Sequence, residues 1–461
     1  MSKSDEMSRR TYVKTVGTAV AGLAVGSIIG YGASEALRPP VTPAPGVTQT
    51  VTETRTQTAG PAGPAIKEIK IALLDMMTGG GGAAGEEAKR IFDQYIEDYN
   101  AAGGVRRGPL KGAKITVVYA DTQTRTEVAR SEAERLVTSG EVCLIMGALW
   151  TSQTIPIKEV CDRYEFPLLN TGASNIALTL GANNKWFWRT MDHDAMFNQR
   201  IFRFQKDLQQ KTGVQVKSLG LIYANDSYGI GWRDYVVNEI NKDKELGGYN
   251  IACDVPVVVG TPSVDSEVLA IKKAAPDILH MATHRPESIL ITKALRQYDV
   301  NPKLIIEQSS EILDTRYGDA VGKIADGQCS RAVSASDLNK PNTKAFSEKY
   351  KAKWGYDVGD WSSSACIQAA TGMLENVQEP SVEPKVIQRS FNSLYIPAEE
   401  LFVPWGIKFY PPGMLDAGQN MLASCVVEQY TGAYELHTVW PWDVASKEIV
   451  FPVPSYSERG L

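Results

Sequence analysis

A run of glycines between an apolar segment and a helical pattern is the first feature of this sequence that could do chemistry. Within residues 75–88, "DMMTGGGGAAGEEA", the residues Gly80, Gly82 and Gly85 satisfy G-x-G-x-x-G, the pattern of a loop that binds a dinucleotide pyrophosphate. Such a loop needs an acidic residue about 20 positions later to hold the ribose. The acid at the next strand tip, Asp121, lies 36 positions beyond Gly85. The spacing therefore predicts no dinucleotide site, and we expect a loop at which a ligand or a facing lobe approaches the backbone.

The histidines give little sign of catalysis or metal binding. They are His193, His280, His284 and His437. None has the spacing of a zinc motif, and the sequence contains neither a G-x-S-x-G nucleophile elbow nor a Walker loop. His193 alone has neighbouring carboxylates, Asp192 and Asp194, and we expect one of these to cap the helix that follows. The sequence predicts no enzyme, no metal and no cofactor.

Strands and helices alternate from residue 66 onward. Apolar runs predict strands of a first series at residues 69–75, 113–121, 142–147 and 167–171, and of a second series at residues 218–224, 250–259, 277–282 and 303–307. Thr124 and Glu127 have capping-box spacing before the second helix, and Gly140 is placed to end it. Continuous apolar strands between helices indicate parallel sheets covered on both faces. The predicted fold class is α/β, with two doubly wound lobes of mainly parallel sheet joined by a multi-strand hinge.

The chain is expected to cross between the lobes more than once. Helices predicted between residues 343 and 394 follow the second series, and they would most economically return to the first lobe. We therefore expect a first lobe at residues 66–190 with 333–430. The second lobe is expected at residues 191–332 with 431–461, including the hinge return. Clefts between such lobes bind small molecules.

The amino-terminal residues are predicted to lie outside this body. The segment from Ser8 to Lys14, "SRRTYVK", resembles a twin-arginine export signal, and a charge-free, glycine-rich run over residues 15–34 follows it. Residues 39–65 are rich in proline and threonine, which indicates an extended stalk. We expect export to the outer face of the cytoplasmic membrane, with residues 1–38 either a cleaved signal or a retained anchor. The six cysteines permit disulfides there, although no spacing specifies the pairing.

Four blocks of the body are similar to those of a known family. They read "IKIALLDMMTGGGGAAGEEAKRIFDQYIEDYNAAGGV", "GALWTSQTIPIKEVCDRYEFPLLNTGASNIALT", "WFWRTMDHD" and "LGLIYANDSYGIG". In order and separation they resemble type I periplasmic solute-binding proteins of ABC importers, particularly the leucine/isoleucine/valine-binding family. The resemblance covers residues 66–440 and implies a monomer that captures a small solute and docks on a membrane permease. A net charge of −5 gives no basic surface for nucleic acid.

The resemblance implies that two turns of the first lobe bind the solute. One follows the third strand at residues 149–154, and the other follows the fourth strand at residues 171–175. Thr151 opens a helix whose N–H groups and dipole favour an anion. The alternative is that Thr151 and Ser174 are ordinary helix caps, and Trp150 can serve either as a ligand contact or as core. The predicted ligand-binding residues of the first lobe are Trp150, Thr151, Ser152, Gly172, Ala173 and Ser174.

The second lobe departs from the family pattern. The tyrosine of the family's "YG" turn corresponds to Tyr228, and the second aromatic position falls on His284 or Thr283. The acidic position that pairs with a ligand ammonium falls on Gln308, so no fixed charge faces the ammonium there. A buried unpaired ammonium would cost several kcal/mol, so Glu307, Glu311 or Asp226 would have to swing in.

Three functions are compatible with these features. The first is capture of an amino acid, of the branched-chain type, for an ABC importer. The neutral Gln308 leaves a neutral amide, a urea-like solute or a small carboxylate as alternative ligands. The second is an enzyme that uses the same cleft, and the third is a sensory ligand-binding module of the same fold.

Overall fold

The computed structural model describes residues 66–181, 183–243, 246–313, 315–432 and 435–461. The predicted export signal and stalk lie outside these ranges. The chain from Ile66 to Leu461 forms one compact unit. Within the described ranges, no helix has both the length and the apolar character needed to cross a membrane. All six cysteines are described and have free thiols.

Five parallel strands form the first sheet, in the order β2-β1-β3-β4-β5. They are β1 (Glu68–Asp75), β2 (Lys114–Asp121), β3 (Ile145–Met146), β4 (Leu168–Asn170) and β5 (Phe187–Arg189). The helices between them are α1 (Gly82–Ala101), α2 (Thr126–Ser139) and α3 (Thr151–Arg163). Because each helix returns the chain to start a parallel neighbour, the carboxyl ends of the strands share one edge. The turns that follow β1, β3 and β4 therefore meet at that edge.

The second sheet has seven strands in the order β14-β13-β10-β9-β8-β6-β7. Its parallel part comprises β6 (Ser218–Ala224), β7 (Asn250–Val257), β8 (Ile278–Ala282), β9 (Leu304–Glu307) and β10 (Cys329–Ala332). Two antiparallel strands, β13 (Val426–Tyr430) and β14 (Leu436–Trp440), extend it beyond β10. The helices of this lobe are α4 (Asp194–Thr212), α5 (Ser227–Asn238), α6 (Asp265–Ala274), α7 (Arg285–Gln297) and α8 (Thr315–Val321).

Three late helices return to the first sheet. They are α9 (Pro341–Trp354), α10 (Trp361–Asn376) and α11 (Pro384–Ser393), followed by a small hairpin of β11 (Tyr395–Ile396) and β12 (Ile407–Lys408). Their apolar side chains share one buried cluster with those of β1 and α1. Trp188 of β5, for example, stacks on Phe391 of α11 with ring centres 4.7 Å apart. The late helices thus cover a face of the first sheet.

The α/β fold class with mainly parallel sheets is confirmed, and one lobe boundary is wrong. We expected residues 333–430 in the first lobe, but β13 pairs with β10 in the second sheet. All five residues of β13 are buried, because it lies between β10 and β14. The sequence carries no signal for this pairing, since the partner strand lies almost one hundred residues earlier in the chain.

Two predicted helix caps are also wrong. Arg125 is the N-cap residue of α2, while Thr124 turns its hydroxyl to the glycine loop, accepting from the Gly81 N–H at 3.1 Å and donating to the Thr78 carbonyl at 2.8 Å. The helix that follows the histidine is capped by His193 itself rather than by an aspartate. Gly140 ends α2 with a φ of 64°, as predicted.

Candidate functional site

Two adjoining cavities lie between the carboxyl edges of the two sheets. The first cavity is lined by Leu149, Trp150, Thr151, Gly172, Ser174, Met191, Tyr228, His284, Gln308, Ser309, Glu311 and Arg331. The second cavity shares half of these residues with the first. It adds Ala84, Glu87, Arg285, Ser310, Val333, Gly359, Asp360, Trp361 and Ser362. Both lobes contribute to each cavity, which is the arrangement expected of a site that closes around a solute.

Seven of the nine predicted ligand-binding residues line the first cavity. They are Trp150, Thr151, Gly172, Ser174, Tyr228, His284 and Gln308. The structure places the other two elsewhere. Ser152 faces a surface groove beside Ser227, since it is one step further around α3. The side chain of Ala173 packs in the core of the first lobe, and its carbonyl accepts a 2.9 Å hydrogen bond from Arg189.

Neither hydroxyl that we expected to contact the ligand is a helix cap. Trp150 is the N-cap residue of α3, and Thr151 is the first residue of the helix. The Thr151 hydroxyl is buried without a hydrogen-bond partner among the described residues. Beside Ser174, it is Asn175 that caps the following short helix, by accepting from the Ala177 N–H at 2.9 Å. The Thr151 hydroxyl is therefore available for another partner in the cavity, whereas the Ser174 hydroxyl lies beside the buried Asp194 carboxylate.

The start of α3 places backbone N–H donors beside the Thr151 hydroxyl. The N–H groups of the first helical turn have no intrahelical acceptor, and the helix dipole makes them a favourable site for an anion. On the opposite lobe, the Tyr228 hydroxyl is also buried and without a partner in the described structure. Burial raises the pKa of this hydroxyl well above its ordinary value, so Tyr228 is protonated and able to donate.

His284 joins the two lobes across the cavity. Its ring stacks on Trp150 of the first lobe, with ring centres 3.7 Å apart and planes inclined by 20°. His284 Nε2 lies 2.9 Å from the Asp226 carboxylate, and Nδ1 lies 3.7 Å from that of Glu311. Trp150 donates its indole N–H to Glu311 at 2.9 Å. This cluster of Trp150, Asp226, His284 and Glu311, the interlobe cluster, holds the cleft closed on one side.

The interlobe cluster carries charge. Burial acts to lower the pKa of His284, but the hydrogen bond to Asp226 and the nearby negative charge of Glu311 outweigh it and raise this pKa to about 10. Burial acts to raise the pKa of each carboxyl, and the contacts with His284 bring both pKa values below their ordinary range. Trp150 therefore stacks on an imidazolium, which is favourable for an electron-rich ring face.

The glycine run serves the facing lobe as well as the turn. A Cβ on Gly85 would lie 2.0 Å from the Met76 carbonyl oxygen, so α1 could not pack against the end of β1 with a larger residue. Arg316 of the second lobe donates to the Ala83 carbonyl at 3.0 Å and pairs with Glu87 at 3.1 Å. The helix begins at Gly82, within the glycine run. The first turns of α1 therefore receive the facing lobe, through the Ala83 carbonyl and the Glu87 side chain.

Arginine and aspartate lie where the chain crosses between the lobes. Arg331 of β10 is buried, lines both cavities and pairs with Asp192. Arg189 of β5 donates to Gln419 at 2.7 Å and to Thr179 at 2.7 Å. Burial lowers the pKa of Arg189 to about 10. The crossing segments are thus held by buried charged groups with polar partners.

Several cavity residues were not predicted from the sequence. Met191 and Arg331 come from the crossing segments, and Glu311 comes from the loop after β9. These residues reach the cavity only because of how the two lobes pack together, and a local sequence pattern carries no information about that packing. Glu311 was considered only as an acid that could swing in, whereas the structure engages it with Trp150, His284 and Arg285. Within the described ranges, no group of three or more His, Cys, Asp or Glu side chains could hold a metal ion.

Two α/β lobes around a polar cleft form the architecture of solute-binding proteins that close on a ligand. The chain belongs to the periplasmic binding protein family, whose profile matches residues 68–385. It is 25% identical over 400 residues to Leu/Ile/Val-binding protein homolog 7 of Brucella suis biovar 1 (strain 1330), covering 85% of this chain and 96% of the relative.

Solved structures show the same fold. The branched-chain amino acid transporter substrate-binding protein LivJ of Streptococcus pneumoniae, in complex with isoleucine, superimposes with a TM-score of 0.66 at 16% identity, over 84% of this chain and 100% of that chain. A solute-binding protein of an ABC transporter from Rhodopseudomonas palustris, in complex with benzoate, has a TM-score of 0.66 at 16% identity. The match covers 84% of this chain and 97% of that chain. The predicted resemblance to type I periplasmic binding proteins is confirmed.

Proposed function

We propose that this chain is the extracytoplasmic solute-binding component of an ABC importer and that it captures an amino acid of the branched-chain type. The names of the Brucella relative and of LivJ support this class of solute. The observation that carries the proposal is the convergence of unpartnered buried groups, the Thr151 and Tyr228 hydroxyls, on the first cavity. Such groups cost free energy unless a ligand supplies their partners.

The linings of the two cavities combine apolar side chains with polar and charged ones. In the proposed complex the carboxylate lies at the start of α3, where Thr151 and the free N–H groups can donate. The apolar side chain extends toward the second cavity, which presents Leu149, Met191, Val333 and Trp361. The amino group faces Gln308 and Glu311 from the second lobe.

A neutral amide and a small carboxylate are the alternative ligands. Neither brings an ammonium, so neither needs a counter-charge at Gln308, and only the amide carries N–H groups for a side-chain oxygen to accept. The benzoate-bound relative shows that the fold accepts a small carboxylate in another protein. A sensory module that binds the same solute for a separate signalling partner is a further alternative role.

A thermal-shift screen followed by calorimetry tests the proposal. The compounds are L-leucine, L-isoleucine, isovaleramide, urea and benzoate, because a ligand that binds only the native state raises the melting temperature. We expect the branched-chain amino acids to give the largest shifts and to be recovered unchanged after incubation. A shift with urea or benzoate alone would replace the amino acid by the alternative class, and chemical turnover would contradict a binding role.

We further propose that the twin-arginine segment directs export. Replacing Arg9 and Arg10 with lysine keeps the charge but removes the motif that an export receptor reads. The double variant should accumulate inside the cell, while the unaltered chain reaches the cell exterior, as followed by fractionation. Replacing Lys3 with arginine serves as the matched control and should leave export intact. Unchanged delivery of the double variant would contradict this role.

A further inference from the structure

Three buried side chains stand in a row behind the first cavity. Gln205 of α4, His280 of β8 and Gln308 after β9 are each 0% exposed. Nδ1 of His280 lies 3.1 Å from Nε2 of Gln308. The other ring nitrogen, Nε2, lies within hydrogen-bond distance of the Gln205 amide. The row therefore connects the interior of the second lobe to a side chain that lines the cavity.

The charge state of His280 limits how this row can be bonded. Burial lowers the pKa of His280 to about 3, so the ring is neutral at physiological pH. The rings of Phe202 and Trp232 pack near it, with ring centres 5.8 and 6.2 Å away. A neutral imidazole donates at one nitrogen and accepts at the other. Only one of its two amide neighbours can therefore act as the donor.

The Ile306 carbonyl decides which amide donates. Nε2 of Gln308 lies 3.4 Å from this oxygen, and the nitrogen edge of an amide faces a carbonyl favourably whereas its oxygen edge does not. Gln308 is thus the donor to Nδ1 of His280, and the ring carries its proton on Nε2. Gln205 must then present its amide oxygen to that proton. The oxygen and nitrogen of an amide are nearly isosteric, and only this orientation pairs a donor with an acceptor.

This bonding leaves the amide oxygen of Gln308 for the cavity. Oε1 is buried and has no hydrogen-bond partner among the described residues. We infer that Gln205 and His280 hold Gln308 with its oxygen toward the cleft, so that the site selects solutes that bring an N–H group to this point. The inference rests on the proposed function and narrows its ligand class. A solute without that N–H leaves a buried acceptor unpaired, and sites built around a hydrogen bond reject such analogues strongly.

Two matched pairs of compounds test this selection by calorimetry at pH 7. L-leucine and 4-methylpentanoate differ by the amino group, and isovaleramide and methyl isovalerate are both neutral but only the amide has N–H donors. In each pair that binds, the compound with the donor should bind about tenfold or more tightly. Gln308→Met keeps the side-chain length and removes the acceptor, so the preference should disappear.

Two variants of His280 test whether this residue orients the Gln308 amide or only fills space in the core. In His280→Leu the Gln308 amide can turn either edge to the cavity, and the preference should fall to about threefold or less. His280→Asn places an acceptor oxygen near the former Nδ1 and should restore it. Equal affinities within a pair for the unaltered protein would overturn the inference but leave solute capture intact. A preference that survives Gln308→Met, or one that His280→Asn fails to restore, would also overturn it. Failure of all four compounds to bind would overturn both proposals.

Discussion

Thr151 combines a buried hydroxyl, a position in the first turn of α3 and no role in capping that helix. The neighbouring Ser152 is on the same turn but faces an outer groove. The two residues therefore form a natural comparison, because both are hydroxyl residues of the same helical turn and only Thr151 lines the cavity. Removing a hydroxyl that contacts the ligand lowers mainly the binding affinity, whereas removing a structural hydroxyl lowers mainly the stability of the free protein.

Thr151→Ala should weaken solute binding by about 1–3 kcal/mol, since a desolvated ligand group loses its partner. The free energy of unfolding without ligand should fall by about 1 kcal/mol or less, because no cap is lost and the buried group removed is a single methyl besides the hydroxyl. Calorimetry with the solute found in the screen and denaturant unfolding of the free protein measure the two effects. Ser152→Ala should alter neither quantity by more than about 0.5 kcal/mol. Equal losses for Thr151→Ala in affinity and stability would show a structural role instead.

The charge on His284 makes the stability of the closed form depend on pH. Its pKa is raised from the ordinary value of 6.5 to about 10, so the folded state binds this proton more tightly than the unfolded state. The stabilisation is fully present below pH 6.5 and is lost as the pH rises toward 10. Urea unfolding at a series of pH values should show this decline. In His284→Gln the decline should be smaller over the same window, and parallel profiles for the two proteins would contradict the assignment.

At the residue scale, the sequence was informative where function depends on position along one strand. Thr151, Gly172 and Tyr228 follow strands whose carboxyl ends could be predicted from apolar runs, and all three reach the cavity. Glu311 and Arg331 were missed as site residues because their place depends on how distant segments pack. His284 was predicted from the resemblance, but its bond to Asp226 and its stacking on Trp150 are properties of the closed pair of lobes.

Among the elements, the junction of β1 and α1 shows what the glycine run accomplishes. Gly85 lies against the Met76 carbonyl, whereas Gly80 has no atom within 4 Å of the position that its Cβ would occupy. The run resembles a nucleotide loop in composition but is used for close packing of the helix on the strand end. The two glycines should therefore respond differently to the same substitution.

Gly85→Ala should lower the free energy of unfolding by about 2–4 kcal/mol, because the helix must shift to admit a methyl group. Gly80→Ala is the matched control and should stay within about 0.5 kcal/mol of the unaltered protein. Thermal or denaturant unfolding of the free proteins measures both. Two variants of equal stability would mean that the loop relaxes without cost and that the close packing of α1 is unimportant.

Element boundaries illustrate where local patterns are sufficient. The first strand of the second lobe has the predicted bounds, Ser218–Ala224, because a continuous apolar run defined it. The start of α2 was misjudged since Thr124 bonds to the glycine loop rather than to its own helix. The antiparallel β13 was assigned to the wrong lobe because pairing between distant strands depends on the register of two edges and leaves no local mark.

For the molecule as a whole, contacts across the cleft indicate a closed state. Arg316 bonds to Ala83 and Glu87, and Asn175 donates to the Ser227 carbonyl at 2.7 Å. Together with the interlobe cluster, these contacts join the lobes on more than one side of the cavities. We expect the segments near Arg189 and Arg331 to absorb the rotation when the lobes separate.

Ligand should reduce the radius of gyration measured by solution scattering, because the closed state alone brings both halves of the site together. Arg316→Gln should weaken solute affinity by about 0.5–1 kcal/mol, since its partly exposed ion pair forms only on closure. Arg233→Gln removes an ion pair with Asp254 that lies within the second lobe, and its effect on affinity should be negligible. Identical scattering with and without a bound solute would contradict closure.

The pairing of β13 with β10 has a consequence for the order in which the chain can be completed. Strand β10 ends at Ala332, and its neighbour β13 begins only at Val426. The helices that cover the first sheet lie between them in the sequence. During synthesis, β10 therefore remains an open sheet edge until the ribosome has made the residues that finish both lobes. Exposed edges of this kind invite pairing with other chains. The nascent protein is therefore exposed to association with other chains until β13 is made and covers the edge of β10.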